Sequence, residues 1–320
     1  MAPSTRPAHR LRAVLAAVAL AVGAVTAPTA ALADDAAAPA TAPTSPGWVS
    51  RYETRIGDDP AAVYYPAGRQ AVPVALLLQG ANVPGASYDR FARTVAGFGF
   101  AVAVPDHRRA VGPVSGLFPE QLQINTAAAW AEAENSREGS PVAGRLDAGR
   151  LVLLGHSFGA AAGLFAVGNT CTVPFCSGPV YRRPASLRAA VFHGAGTAAP
   201  GGGTVPIDNT GVPVALVQGG LDGINPPATA RATYDGLGSP PKAFVTLTGA
   251  NHFGLTDTQT PPGALPDPSP QTLPQERSVD AAARWSALFL RASLGDPLAA
   301  AYVYGFGDAS DDDVTVISQR

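Results

Sequence analysis

The sequence predicts an α/β fold, a mostly parallel central sheet with helices on both faces. Three observations carry this. From Trp48 onward, short apolar runs alternate with Ala-rich stretches of helical length, the order that builds strand–helix–strand units. The runs at Val74, Phe100, Leu151, Ala189 and Val212 lack strict apolar–polar alternation, as strands buried on both faces do. A chain of 320 residues with 46% apolar and 14% charged side chains can bury a large core, which excludes a wholly disordered protein. The 35 Gly and 31 Pro stay below the level at which low complexity takes over. With 22 basic residues against 24 acidic ones there is no cationic excess for phosphates, so no nucleic-acid partner is expected.

Taken in chain order, residues 1–33 read as a secretory signal. Arg6, His9, Arg10 and Arg12 form a cationic start, Ala13–Val25 is apolar, and Ala31-Leu32-Ala33 is a small-residue cleavage site. The apolar run is too short to span a bilayer, so no stable membrane insertion is expected. Cleavage after Ala33 removes three arginines and no carboxylate and takes the net charge from −2 to −5, an acidic secreted protein. Residues 34–47 are an Ala/Pro/Thr-rich leader expected to be disordered, and 48–320 a single domain with a C-terminal tail. Strands are expected at Ala61–Tyr65, Val74–Leu78, Phe100–Val104, Leu151–Leu154, Ala189–Phe192, Val212–Val217 and Phe244–Leu247. Helices are expected from a Ser87 cap through Phe98, over Pro119–Glu134 and Gly159–Val167, after Asn225-Pro226-Pro227, and over Val279–Leu294. Residues 194–211 carry Gly, Thr, Ala and Pro with no helical period, so no large cap domain is expected there. Asp311-Asp312-Asp313 has the look of a calcium run but lacks the rest of a binding loop, and reads as a solvated tail.

Cys171 and Cys176 frame Thr-Val-Pro-Phe, and in an oxidising compartment such a local pair closes a small disulfide loop. No metal site is expected, because neither a second cysteine pair nor a His-x-x-x-His accompanies them.

The chemistry centres on Leu151-Val-Leu-Leu-Gly155-His156-Ser157-Phe158-Gly159, a buried strand running through Gly-x-Ser-x-Gly into a helix of small residues. A serine on that turn stands exposed at the helix start, and it needs a base. Of the histidines downstream of the signal, His252 is the best candidate, on a Gly-containing loop directly after the last core strand. His156 is expected to pack beside the turn, His107 to stabilise another turn, and His193, with Asn82, is a candidate for lining the pocket. Asp222, on the loop after Val214–Gly219, is preferred over Asp208 as the carboxylate that orients the base, because Asp208 precedes its strand. The oxyanion would be received by the backbone N–H groups of Phe158 and Ala81, the latter in Gln79-Gly80-Ala81-Asn82.

With these residues in place, the stretch from about Ala61 to Leu294 resembles the α/β-hydrolase superfamily, in its dienelactone-hydrolase-like, chlorophyllase-like and cutinase-like polyester hydrolase branch. The resemblance rests on Leu-Leu-Gln-Gly, Gly-Phe-Ala-Val-Ala-Val-Pro-Asp-His, Gly-His-Ser-Phe-Gly, Gln-Gly-Gly-Leu-Asp and Gly-Ala-Asn-His-Phe. It implies a serine esterase that needs no cofactor, acting on small-molecule or polymeric esters, with Ser157, Asp222 and His252 at the matching motif positions. The chain departs from the branch at Phe158, where Met is usual, and at Ala81, where Tyr or Phe is usual. An acyltransferase using the same acyl-enzyme, and a non-catalytic envelope protein retaining the fold, are the alternative readings.

Overall fold

In the computed structural model, which describes residues 47–68, 70–199 and 201–320, six parallel strands make the centre of a nine-stranded sheet. The strands are β1 (Val49–Ile56), β2 (Asp59–Pro66), β3 (Val72–Leu78), β4 (Ala101–Pro105), β5 (Arg108–Val111), β6 (Val114–Leu117), β7 (Leu146–His156), β8 (Leu187–His193), β9 (Val214–Gly219), β10 (Lys242–Leu247) and β11 (Val314–Gln319). The helices are α1 (Asp89–Gly97), α2 (Leu122–Ser136), α3 (Phe158–Val167), α4 (Pro227–Asp235), α5 (Gln275–Ser293) and α6 (Pro297–Ala301). The main sheet runs β1-β2-β4-β3-β7-β8-β9-β10-β11, parallel from β4 to β10 and antiparallel at both margins, while β5 and β6 form a separate hairpin. The signal sequence expected over 1–33 and nearly all of the leader lie outside the described residues.

Period-two side-chain alternation builds two cores from the same apolar strands. Ala75, Leu77, Val152, Leu154 and Val191 face α1 and α5, where Phe91, Val95, Trp285 and Phe289 cover them. Val74, Leu76, Leu78, Leu151, Leu153 and Phe192 face the other way, under Ile124, Trp130, Leu164 and Phe165 of α2 and α3. This double burial is why those runs show no alternation in hydropathy. The chain leaves β3 toward β4 on one side and returns to β7 on the other, so a crevice opens beyond the C-terminal ends of β3 and β7, the usual place for a ligand in an open α/β sheet.

Four expectations are corrected. Ser87 does not cap the first helix: it lies in a 3₁₀ turn over Gly85–Tyr88, and the Asp257 carboxylate accepts instead from the N–H groups of Asp89 and Arg90, each at 3.2 Å. The C-terminal segment is not a solvated tail. Asp311 is buried, accepts from Trp285 Nε1 at 2.8 Å and pairs with Arg284, and the chain continues into β11 along β10. Strand β1 and the β5–β6 hairpin were not expected, since Val49–Ile56 and Arg108–Val111 carry charges at edge positions and lack a clean apolar alternation. Helix α2 starts at Leu122 rather than at Pro119. Between β8 and β9 the described residues contain no helix, only the isolated bridges Ala198–Thr204 and Ile207–Leu237, so no cap is inserted there.

Candidate active site

At the end of β7 the backbone turns into α3 through Ser157, whose φ of 53° and ψ of −116° are costly for a residue with a side chain. The flanking glycines make the turn sterically feasible. A Cβ on Gly155 would stand 2.9 Å from Ala160 Cα, and one on Gly159 would stand 2.3 Å from the Leu78 carbonyl oxygen. The helix start is therefore pressed against the end of β3, and the N–H of Ser157 is held by the His193 carbonyl at 2.9 Å.

The loops after β9 and β10 bring Asp222 and His252 together. Asp222 Oδ2 accepts from His252 Nδ1 at 2.8 Å, with both side chains almost fully buried. The same carboxylate accepts from the N–H groups of Asn225 (2.7 Å) and Ile224 (3.0 Å) and from Gln218 Nε2 (3.1 Å), which fixes its orientation. A carboxylate can only accept, so Nδ1 carries the proton of the neutral ring and Nε2 is left as its basic atom. Gly194, at φ 56°, leaves room for the pair, since a Cβ there would be 2.9 Å from His252 Nδ1. Asp208 is exposed and accepts from the Thr210 N–H instead.

Ser157 and His252 line one groove of about 190 Å³, together with Ala81, Asn82, Ile224 and Leu265. The two side chains make no hydrogen bond to each other. The N–H of Phe158 is the first of α3 and has no intrahelical acceptor, and the N–H of Ala81 has none among the described residues. Asn82, at φ 57°, is locked to β6, donating its N–H to the Leu117 carbonyl at 2.8 Å and accepting the Leu117 N–H on Oδ1 at 3.1 Å. The Phe158 ring is wedged between Phe118 (5.5 Å between centroids) and Phe175 (4.7 Å). Phe175 belongs to the loop closed by the Cys171–Cys176 disulfide.

The remaining histidines divide clearly. His193 does not line this groove; its ring packs edge-on against Phe91 at 5.2 Å and shares a hydrogen bond with Ser286 Oγ at 3.1 Å, and burial pulls its pKa down to about 3. His107 bonds Asp59 at 2.8 Å at the foot of the β5–β6 hairpin. His156 is fully buried behind the turn.

Sequence reasoning missed Asp267. Its carboxylate accepts from the His252 N–H at 2.8 Å, the Gly223 N–H at 3.2 Å and the Ser269 N–H at 2.7 Å, so it joins the loop of Asp222 to that of His252. Its setting in Pro-Asp-Pro-Ser-Pro carries no signal of that role. Also unforeseen is the groove wall at Gly263–Leu265, where a Cβ on Gly263 would meet the Asn82 carbonyl oxygen at 2.9 Å.

Against known proteins, a search of curated sequences gave no match. The family model described as PETase, PET hydrolase-like, matches residues 16–263, more than three quarters of the chain and the whole span from Ala81 to His252. With a mostly parallel sheet, a serine on a strained strand-to-helix turn and a buried Asp–His pair beside it, the chain belongs to the PET hydrolase-like family of α/β-hydrolases, a family of carboxylic-ester hydrolases.

Proposed function

We propose that this ester hydrolase is a secreted serine esterase whose nucleophile, base and orienting acid are Ser157, His252 and Asp222, and that it cleaves bulky or polymeric esters. The observation that carries the reading is the buried Asp222–His252 hydrogen bond in the groove that also holds the strained Ser157. Ser157 Oγ bonds the ester carbonyl carbon as its proton passes to His252 Nε2. The carbonyl oxygen becomes an oxyanion received by the N–H groups of Phe158 and Ala81. Collapse expels the alkoxide, which takes the proton from Nε2 and leaves as the alcohol. Water then loses a proton to Nε2 as it attacks the acyl-enzyme, and the second collapse releases the carboxylic acid and returns the proton to Ser157. No step calls on a cofactor.

Substrate size follows from the walls. Ile224 and Leu265 put apolar surface at the rim, Leu265 being 84% exposed, and no cap among the described residues closes over it. An apolar polyester segment can lie along such a groove. Secretion is supported by the cationic–apolar start of the sequence and by a disulfide, which persists in oxidising compartments.

A fluorophosphonate should label Ser157 alone, and Ser157→Ala should abolish labelling, turnover of p-nitrophenyl esters and release of soluble product from an aliphatic polyester film together. Turnover that survives in Ser157→Ala refutes the reading. Product analysis with water and an alcohol in competition distinguishes hydrolysis from acyl transfer.

A further inference from the structure

We propose that Tyr88 and His156 form a buried hydrogen-bonded relay that ties the oxyanion loop and the loop of the base to the nucleophile turn, with both acting as positioning residues. The proposal rests on the assignment of Ser157 and His252 given above.

The direction of every bond in the relay is fixed by its ends. The Gly80 N–H can only donate, and it donates to Tyr88 Oη at 2.9 Å. The one proton of that hydroxyl is then free for His156 Nδ1, also at 2.9 Å. Nδ1 is therefore the bare nitrogen of the ring, and the ring proton sits on Nε2. That is what the other end requires, because the atom 3.0 Å from Nε2 is the carbonyl oxygen of His252, which only accepts. One tautomer satisfies all four polar groups.

Burial makes these bonds consequential. Tyr88 and His156 are 0% exposed, and burial together with the nearby His252 and His193 rings keeps the His156 ring neutral by driving its pKa far down. A buried donor or acceptor that loses its partner has no water to replace it. The fit is close as well: a Cβ on Gly80 would lie 2.8 Å from His156 Nδ1, so only glycine lets the oxyanion loop approach the ring.

What the relay connects gives it its role. Gly80 precedes Ala81, a candidate oxyanion donor, and His156 precedes Ser157. At the far end is the main chain of His252 itself, whose N–H is held by Asp267 and whose carbonyl is held by His156. Packing alone would be served by an apolar ring of the same shape and asks for no polar partner at either nitrogen. Oxyanion donors act through position, and a shift of about 1 Å costs up to roughly a hundredfold in rate.

Steady-state kinetics of Tyr88→Phe, His156→Phe and the double variant test this. Each single variant should lower kcat about tenfold with KM changed by less than about threefold, and the double variant should be about as slow as the slower single one, because one relay is broken in either case. A folded Tyr88→Phe with kcat within about twofold of the parent, or losses that multiply in the double variant, overturns the proposal. Nitrogen NMR of the histidines in Ser157→Ala, which needs no turnover, gives an independent reading: His156 protonated on Nε2 supports the relay, and a proton on Nδ1 overturns it. Failure of the triad assignment would show separately, as turnover surviving in Ser157→Ala.

Discussion

Asp267 holds the backbone on both sides of the Asp222–His252 pair, at the His252 N–H and at the Gly223 N–H, and its own loop supplies Leu265 to the groove wall. Hydrogen bonds to a charged acceptor contribute more than neutral ones, and three are lost together in Asp267→Ala. That substitution should lower unfolding stability by about 1–3 kcal/mol in a denaturant melt and reduce kcat about tenfold, while Asp267→Asn, which keeps an acceptor oxygen, should recover much of both. An Asp267→Ala protein with parental stability and kcat would show that the Asp222–His252 geometry is held without it. Ser157 shows the opposite arrangement at the same scale: its strain is local, and it is imposed by the close approach of Gly159 to the end of β3.

At the scale of elements, the β5–β6 hairpin does for the Ala81–Asn82 loop and Phe158 what Asp267 does for the loop of His252. Leu117 holds Asn82 by two hydrogen bonds, Phe118 packs on Phe158, and Arg109 donates to the carbonyls of Phe118, Pro119 and Pro174, joining the hairpin to the disulfide loop. Its foot is His107. Burial disfavours charge on that ring, but the carboxylates of Asp59 at 2.8 Å and Glu120 at 3.6 Å outweigh it and raise the pKa to about 9. A histidine raised from 6.5 contributes stability that is complete below 6.5 and is lost as pH climbs through about 9. Thermal melts should therefore place His107→Gln below the parent at pH 6, with the gap closing by about pH 10. A gap of constant size across that range would mean that the charge on His107 contributes nothing.

At the scale of the molecule, the groove opens beyond the C-terminal ends of β3 and β7 without a cap among the described residues, and its apolar rim is already exposed at Ile224 and Leu265. An interface has nothing to lift away from such a site. The rate on a long-chain ester should rise smoothly with concentration, with no jump at the critical micelle concentration, and short and medium p-nitrophenyl esters should be turned over without lipid present. A sharp jump would mean that the Gly263–Leu265 wall moves as a lid.

Patterns that repeat along the chain were legible in the sequence. Double-sided burial erases alternation in β3, β4, β7, β8 and β9, and a serine between two glycines after such a strand marks the turn, so the α/β class and the candidates Ser157, Asp222 and His252 could be read from local order alone. Edge elements were not legible. Strands β1, β5 and β11 place charged and polar residues toward solvent; β1 and β5 form hairpins with the next strand, while β11 depends on β10, far away in the sequence. The positioning groups were hidden because their partners are also far away in the sequence. Asp267 acts on a backbone N–H 15 residues away, Tyr88 on a ring 68 residues away, and His156 on a carbonyl 96 residues away. A hydrogen bond depends on distance in space, so a Pro-flanked aspartate and a buried histidine acquire their meaning only when the sheet brings the three loops to one end of the molecule.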